Sequence, residues 1–154
     1  MKSLTIITVI MILSLLACQQ DKGEKSSTAS KPQATPLEKI LSGTVWLVED
    51  IAGRSVIDNA QATIRFEAGG RVSGGTVCNR FNGTATIERN KVTFGPLATT
   101  RRACVPALMD QEKRFLKAVG EVRSITVDEN ELLHLNDANS ETLLRLSRLE
   151  APNQ

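Results

Sequence analysis

The residues able to do chemistry in this chain are few. There are three cysteines, at positions 18, 78 and 104, and one histidine, His134. Cys78 opens the run Cys78-Asn79-Arg80-Phe81-Asn82-Gly83, and Cys104 closes Thr99-Thr100-Arg101-Arg102-Ala103-Cys104. A cysteine in such a setting is a nucleophile, a metal ligand or half of a crosslink. A nucleophile needs a base in reach, and the one imidazole lies in the strand-like stretch ELLHLND, where a hydrogen-bonded or exposed strand position is the simpler role. Zinc needs four protein ligands, or three plus water. Cys78, Cys104 and His134 formally make three, but no CxxC or HxxxH spacing supports the set, so neither metal nor cofactor is expected. The carboxylates are scattered, with no arguable catalytic pair. Gly69-Gly70 and Gly74-Gly75 lack the Lys-Ser or helix start of a phosphate loop.

Which role the cysteines take depends on the compartment, and the N-terminus bears on that. Lys2 precedes an apolar run from Leu4 to Ala17, interrupted by Thr5, Thr8 and Ser14. This is the layout of a secretory signal peptide, and it is shorter than the ~20 residues a membrane-spanning helix needs. Leu15-Leu16-Ala17-Cys18 resembles a bacterial lipobox, with an aliphatic residue at −3 and a small one at −1. The resemblance implies a signal peptide over residues 1–17 and a diacylglycerol on Cys18. Ordinary signal peptidase prefers a small residue at −3, and Leu15 is large. A single acyl chain anchors marginally while two or more hold firmly, at about 0.8 kcal/mol per buried methylene. Gln19 stands where an Asp tends to retain lipoproteins in the inner membrane, so the expected address is the outer membrane, facing the periplasm.

Residues 18–36 then form a lipidated tether. The segment has no large apolar residue and is rich in Ser, Thr, Lys, Gln and Pro, so it cannot bury enough surface to offset its ordering entropy. Residues 37–154 are long enough for one domain with a core. With 19 basic and 17 acidic residues, the chain is too balanced for a general nucleic-acid binder.

The elements that must position Cys78 and Cys104 can be read coarsely. Thr35-Pro36-Leu37-Glu38 has the form of a capping box, and Gly43 ends the short helix that follows. Period-two alternation marks strands in VWLVED and ATIRFE, with a turn at Ala68-Gly69-Gly70 and a return strand from Arg71 to Gly74. A further strand covers Gly83 to Arg89, and the Asn82-Gly83 pair favours a type I′ hairpin turn ahead of it. VTF runs back after Asn90-Lys91, and Gly95-Pro96 stops it. A helix begins at Pro106. Its apolar positions Leu108, Met109, Phe115, Leu116 and Val119 predict the buried face. Asp110, Glu112, Lys113 and Lys117 predict the solvent face, and Gly120 the left-handed cap. Strands over 124–128, 132–135 and 142–149 close the chain, around turns at Glu129-Asn130 and Asp137 to Ser140. The expected class is α+β: a compact, strongly twisted or barrel-like antiparallel sheet of about eight short strands with one main helix packed on it.

Once Cys18 goes to lipid, Cys78 and Cys104 remain as an even pair in an oxidising compartment, which favours a disulfide. Such a bridge removes loop-closure entropy of roughly 3–4 kcal/mol from the unfolded chain. Asn79 suits hydrogen bonding to neighbouring backbone where a ladder is interrupted. A bridge would also gather Arg80, Arg101 and Arg102. Three guanidiniums together suit a carboxylate- or phosphate-bearing partner, although a basic sheet edge that discourages strand pairing is the plainer account.

Trp46 after Gly-Thr, the ATIRFE strand, CNRFNGT, TTRRACVP and the helix holding Glu112, Phe115 and Leu116 together resemble the META-domain, HslJ-like family of bacterial envelope lipoproteins. The match spans nearly all of Gly43 to Leu149. Val77 replaces the family's usual Gly before the cysteine, and Arg102 its usual Met. The resemblance implies a compact β-rich domain with a helix, members whose two cysteines pair, and links to stress responses and envelope function without an enzymatic activity. The leading expectation is a lipid-anchored, non-enzymatic binding or structural module. Its partners would be the membrane through the N-terminal lipid and an anionic lipid, cell-wall polymer or protein, with no nucleic acid. The alternatives are a thiol-dependent enzyme using Cys78 or Cys104 with His134, and a carrier of a small apolar ligand inside the sheet.

Overall fold

The computed structural model describes residues 36–149. The signal peptide, Cys18, nearly all of the tether and the capping Thr35 lie outside the described residues. The helix α1 (Pro36–Leu41) leads into β1 (Val45–Ile51) through Gly43, whose φ of 76° is a conformation glycine adopts without cost. There follow β2 (Arg54–Ser55), β3 (Thr63–Glu67), β4 (Arg71–Gly75), β5 (Arg80–Glu88), β6 (Lys91–Phe94) and β7 (Ala98–Thr99). Next come α2 (Pro106–Glu121), β8 (Ser124–Val127), β9 (Leu133–Asn136) and β10 (Thr142–Arg148).

Eight of these strands close an antiparallel barrel in the order β1-β3-β4-β5-β6-β8-β9-β10, with β10 returning to β1. The closing ladder runs from Trp46 opposite Arg148 to Ile51 opposite Leu144, with a register shift between Val48 and Asp50. Closure leaves no unpaired edge among these eight. β2 and β7 are short additions, on β1 and β5. The thinnest seam is β6 to β8, where Lys91 opposite Ser124 is the one paired position. Backbone bonds from Val92 to Arg123 and from Ile125 to Asn90 extend it.

Alternation explains the interior. In β1, Trp46 and Val48 are buried, in β3 Ile64 and Phe66, and in β10 Leu144 and Leu146. They belong to one buried cluster with Phe81, Val92, Phe115, Ile125, Leu133 and Leu135. An eight-stranded barrel is just wide enough to be filled by its own side chains, which is how this one is built. The class is α+β, as the sequence predicts.

Three local expectations are corrected. Asn82-Gly83 is not a turn: both residues sit inside β5, opposite Ser73 and Val72, and Asn82 also pairs with Ala98 of β7. A Cβ on Gly83 would lie 2.6 Å from Leu97 Cδ2 and 2.8 Å from the Pro96 carbonyl oxygen. The glycine serves close packing of the β6–β7 connection, not reversal. Gly120 is not a left-handed cap either. It lies within α2, and the helix ends at Val122 in extended conformation, whose amide bonds Val119 O at 3.4 Å.

The third correction matters most for the site. The buried face of α2 is Gln111, Glu112, Phe115, Ala118 and Val119. That spacing is helical, but the face is rotated from the expected one. Glu112 turns inward, while Met109 is exposed and Leu116 half-buried. Two buried polar side chains, Gln111 and Glu112, account for the rotation. Gln111 receives the Ile57 amide at 2.8 Å and donates to Ala60 O at 2.6 Å, which fastens the β2–β3 loop to the helix. Glu112 fastens the cysteine loop.

Candidate functional site

The site is built on two segments that flank the barrel wall: the connection Thr76–Asn79 between β4 and β5, and the stretch from Thr100 to Val105 that leads into α2. A disulfide joins Cys78 to Cys104 across a sequence separation of 26, with the Cα atoms 6.1 Å apart, inside the normal range. Cys78 Sγ also lies 3.3 Å from the Arg102 carbonyl oxygen. A bridged sulfur carries no proton, so this is a packing contact.

Asn79 organises the rest, and it is 5 % exposed. Its side-chain oxygen accepts from the Arg102 amide at 2.7 Å and from Thr100 Oγ1 at 2.8 Å. Its Nδ2 donates to Glu112 Oε1 at 3.0 Å and Oε2 at 3.1 Å. Thr76, fully buried, places its hydroxyl 2.6 Å from Glu112 Oε2 and accepts from the Asn79 amide at 3.0 Å. The Thr76 amide donates to Asn79 O at 2.7 Å. Both Glu112 oxygens therefore face donors, the condition under which a buried carboxylate is tolerated. The sequence points to Asn79 as a structural residue but gives no sign of its partner. Glu112 reads there as a solvent-facing helix residue.

Val77 sits at the crown of the loop with φ 88°. A β-branched side chain is rarely found there, and a glycine would meet no steric penalty. The difference from the family pattern noted above thus falls on a backbone position that favours the family's residue.

Arg80, Arg101 and Arg102 are all exposed. Their backbones are locked together: Thr100 N donates to Arg80 O at 3.0 Å, Arg80 N to Thr100 Oγ1 at 3.1 Å, and Arg102 N to Asn79. Among the described residues none of the three guanidiniums has an ion-pair partner. The arrangement is a set of free cations on a crosslinked base.

His134 is elsewhere. It lies on β9, with β8, β6 and β5 between it and the cysteine loop in the barrel order. Its Nε2 is 3.0 Å from Asp128 Oδ2. That bond, the Leu132 and Asn130 amides and the nearby imidazole hold the Asp128 carboxyl below its ordinary value. The sulfurs of Cys78 and Cys104 are joined in the bridge, and among the described residues the one histidine is bonded to Asp128 instead. Chemically, the site is suited to holding a charged surface in place.

A family model described as the META domain matches residues 39–150. The chain belongs to the META-domain family. Solved structures repeat the fold. An NMR structure of a protein from Burkholderia xenovorans superposes with TM-score 0.60 at 24% identity, over 79% of this chain and 96% of that one. A second NMR structure gives TM-score 0.57 at 26% identity, over 75% of this chain and 95% of the other. A crystal structure of a DUF4847 family protein from Bacteroides vulgatus gives TM-score 0.56 at 16% identity, over 75% and 99%. A search of curated proteins finds no match. The META family and these neighbours give no sign of catalytic activity.

Proposed function

We propose that this META-domain protein is a lipid-anchored envelope protein facing the periplasm. Its domain is a non-enzymatic module that binds an anionic partner through Arg80, Arg101 and Arg102, in envelope maintenance or stress response. The observation that carries the binding role is the set of three exposed, unpaired guanidiniums on two segments joined by the Cys78–Cys104 bridge and by Asn79. Arginines free of internal partners keep their full capacity for forked bonding to carboxylate or phosphate. A fixed backbone lowers the ordering cost of binding. The anchoring role is supported by the sequence alone, through the apolar run ending in Leu15-Leu16-Ala17-Cys18.

The test has two arms. Mass spectrometry of the mature protein should find Cys18 acylated at the new N-terminus. Crosslinking in intact cells should trap an envelope partner with the wild-type protein, and trap it at least tenfold less with an Arg80→Glu/Arg101→Glu/Arg102→Glu variant of equal abundance. An unacylated mature chain overturns the anchor. Equal trapping by both proteins overturns the binding surface.

A further inference from the structure

The rotation of α2 that buries Glu112 leaves an apolar flank in solvent. Val105, the residue before the helix, is 61% exposed, and Met109 is 40% exposed. Met109 N bonds Val105 O at 3.2 Å, so the two lie one helical turn apart. Further along, Leu116 lines a depression with Met109, Asp110, Glu112 and Lys113. It also lines a second depression with Pro96 and Leu97. An apolar strip thus runs from the helix entry along one side of α2 to the β6–β7 connection.

This strip has a cationic collar. Arg101 and Arg102 lie two to four residues before Cys104 and Val105, Arg80 is tied to Thr100, and Lys113 is exposed on the flank itself. The first turn of α2 holds no acidic residue. Asp110, the exposed carboxylate of this stretch, is already engaged by Arg114 at 3.3 Å.

We propose that this collar and strip form a docking surface for an anionic lipid bilayer. The inference rests on the partner-binding reading of the three arginines and names the partner's chemistry. Aliphatic side chains at an exposed tip enter the boundary between headgroups and acyl chains, while surrounding guanidiniums meet the phosphates. A soluble polyanion would engage the arginines and leave Val105 and Met109 in water. A bilayer with anionic headgroups satisfies both halves of the surface at once. The bridge and Asn79 hold the tip in shape beforehand, so docking orders little new chain. A lipid tether would keep the domain near that surface and raise its effective concentration there.

The test uses the full-length acylated protein reconstituted into brominated-lipid vesicles, of phosphatidylcholine alone or mixed with phosphatidylglycerol. A Val105→Trp substitution places an indole at the tip, and the fully buried Trp46 stays out of lipid contact. Absence of free thiol confirms the bridge, and a wild-type circular dichroism spectrum confirms the fold of each variant. The introduced indole should be quenched on the anionic vesicles and not on phosphatidylcholine, and salt should reverse the quenching. Replacing each arginine by Gln should lower the docked-to-undocked ratio about fivefold, and Met109→Asp should lower it further. No quenching on anionic vesicles, or quenching indifferent to the arginines, overturns the inference. A parallel measurement of inorganic polyphosphate binding by the detergent-solubilised protein separates the two readings. Arginine-dependent polyphosphate binding without quenching overturns the lipid surface alone. Loss of both overturns the arginine surface as well.

Discussion

The two loop systems of this barrel are held by opposite means. The turns around β9 are held locally and in water. Asp128 Oδ1 accepts from the Asn130 and Leu132 amides at 2.9 Å each, and Asp137 Oδ1 accepts from Asn139 at 2.8 Å and Glu141 at 2.9 Å. Glu131 and Ser140 take the positive φ these turns require. The cysteine loop is held at long range and out of water. Asn79 reaches Glu112, 33 positions away, and Arg102, 23 away, while the bridge spans 26. Local bonds form wherever the turn forms. The distant set exists only when α2, β5 and the segment before α2 have all docked, so its contribution is cooperative and its loss should be large.

Removing the bridge should have the largest effect. A Cys78→Ala/Cys104→Ala variant should lose about 3–4 kcal/mol in urea unfolding, in line with the loop it closes. A loss below about 1 kcal/mol would mean the polar bonds alone hold the loop. Next comes Asn79→Ala, which leaves Glu112 without its amide donor. It should cost about 2–3 kcal/mol. A double-mutant cycle with Glu112→Ala should show coupling of at least about 1 kcal/mol. Additive losses would break the picture of one connected network.

Val77→Gly should act in the opposite direction. Relief of the φ 88° backbone outweighs the added unfolded-state entropy and the lost packing of a half-buried valine, for a gain of about 0.5–1 kcal/mol. A loss would show that the loop tolerates valine without strain. The smallest effect belongs to the exposed turn. Asp128 has a folded-state value below its unfolded one, so its contribution is present above the unfolded value and fades as pH falls through the lowered one. Stability measured against pH for wild type and Asp128→Asn should converge at low pH. Curves that stay parallel would deny the His134 and amide bonds their role.

The turns were legible in the sequence because Asp128, Asn130, Asp137 and Asn139 make their bonds within four residues. The strands were legible because alternation writes burial into each one, although Asn82-Gly83 carried a turn signal that the sheet overrode. Of the site, Cys78, Cys104 and Asn79 could be singled out from residue type and surroundings. Gln111 and Glu112 could not, because a glutamine or glutamate on a helix looks solvent-facing until a partner is brought to it.

The sequence by itself determined the α+β class, most strand positions, the extent of α2 and the availability of two cysteines for a bridge, since these follow from periodicity, local propensity and counting. Tertiary structure alone decided the closure of the barrel through β1 and β10, the rotation of α2, the burial of Glu112 against Asn79 and Thr76, and hence the exposure of Val105 and Met109 beside the arginines. The physical reason is that a helix settles with the face whose polar groups find partners. Those partners come from chain segments whose distance in sequence carries no periodic signal.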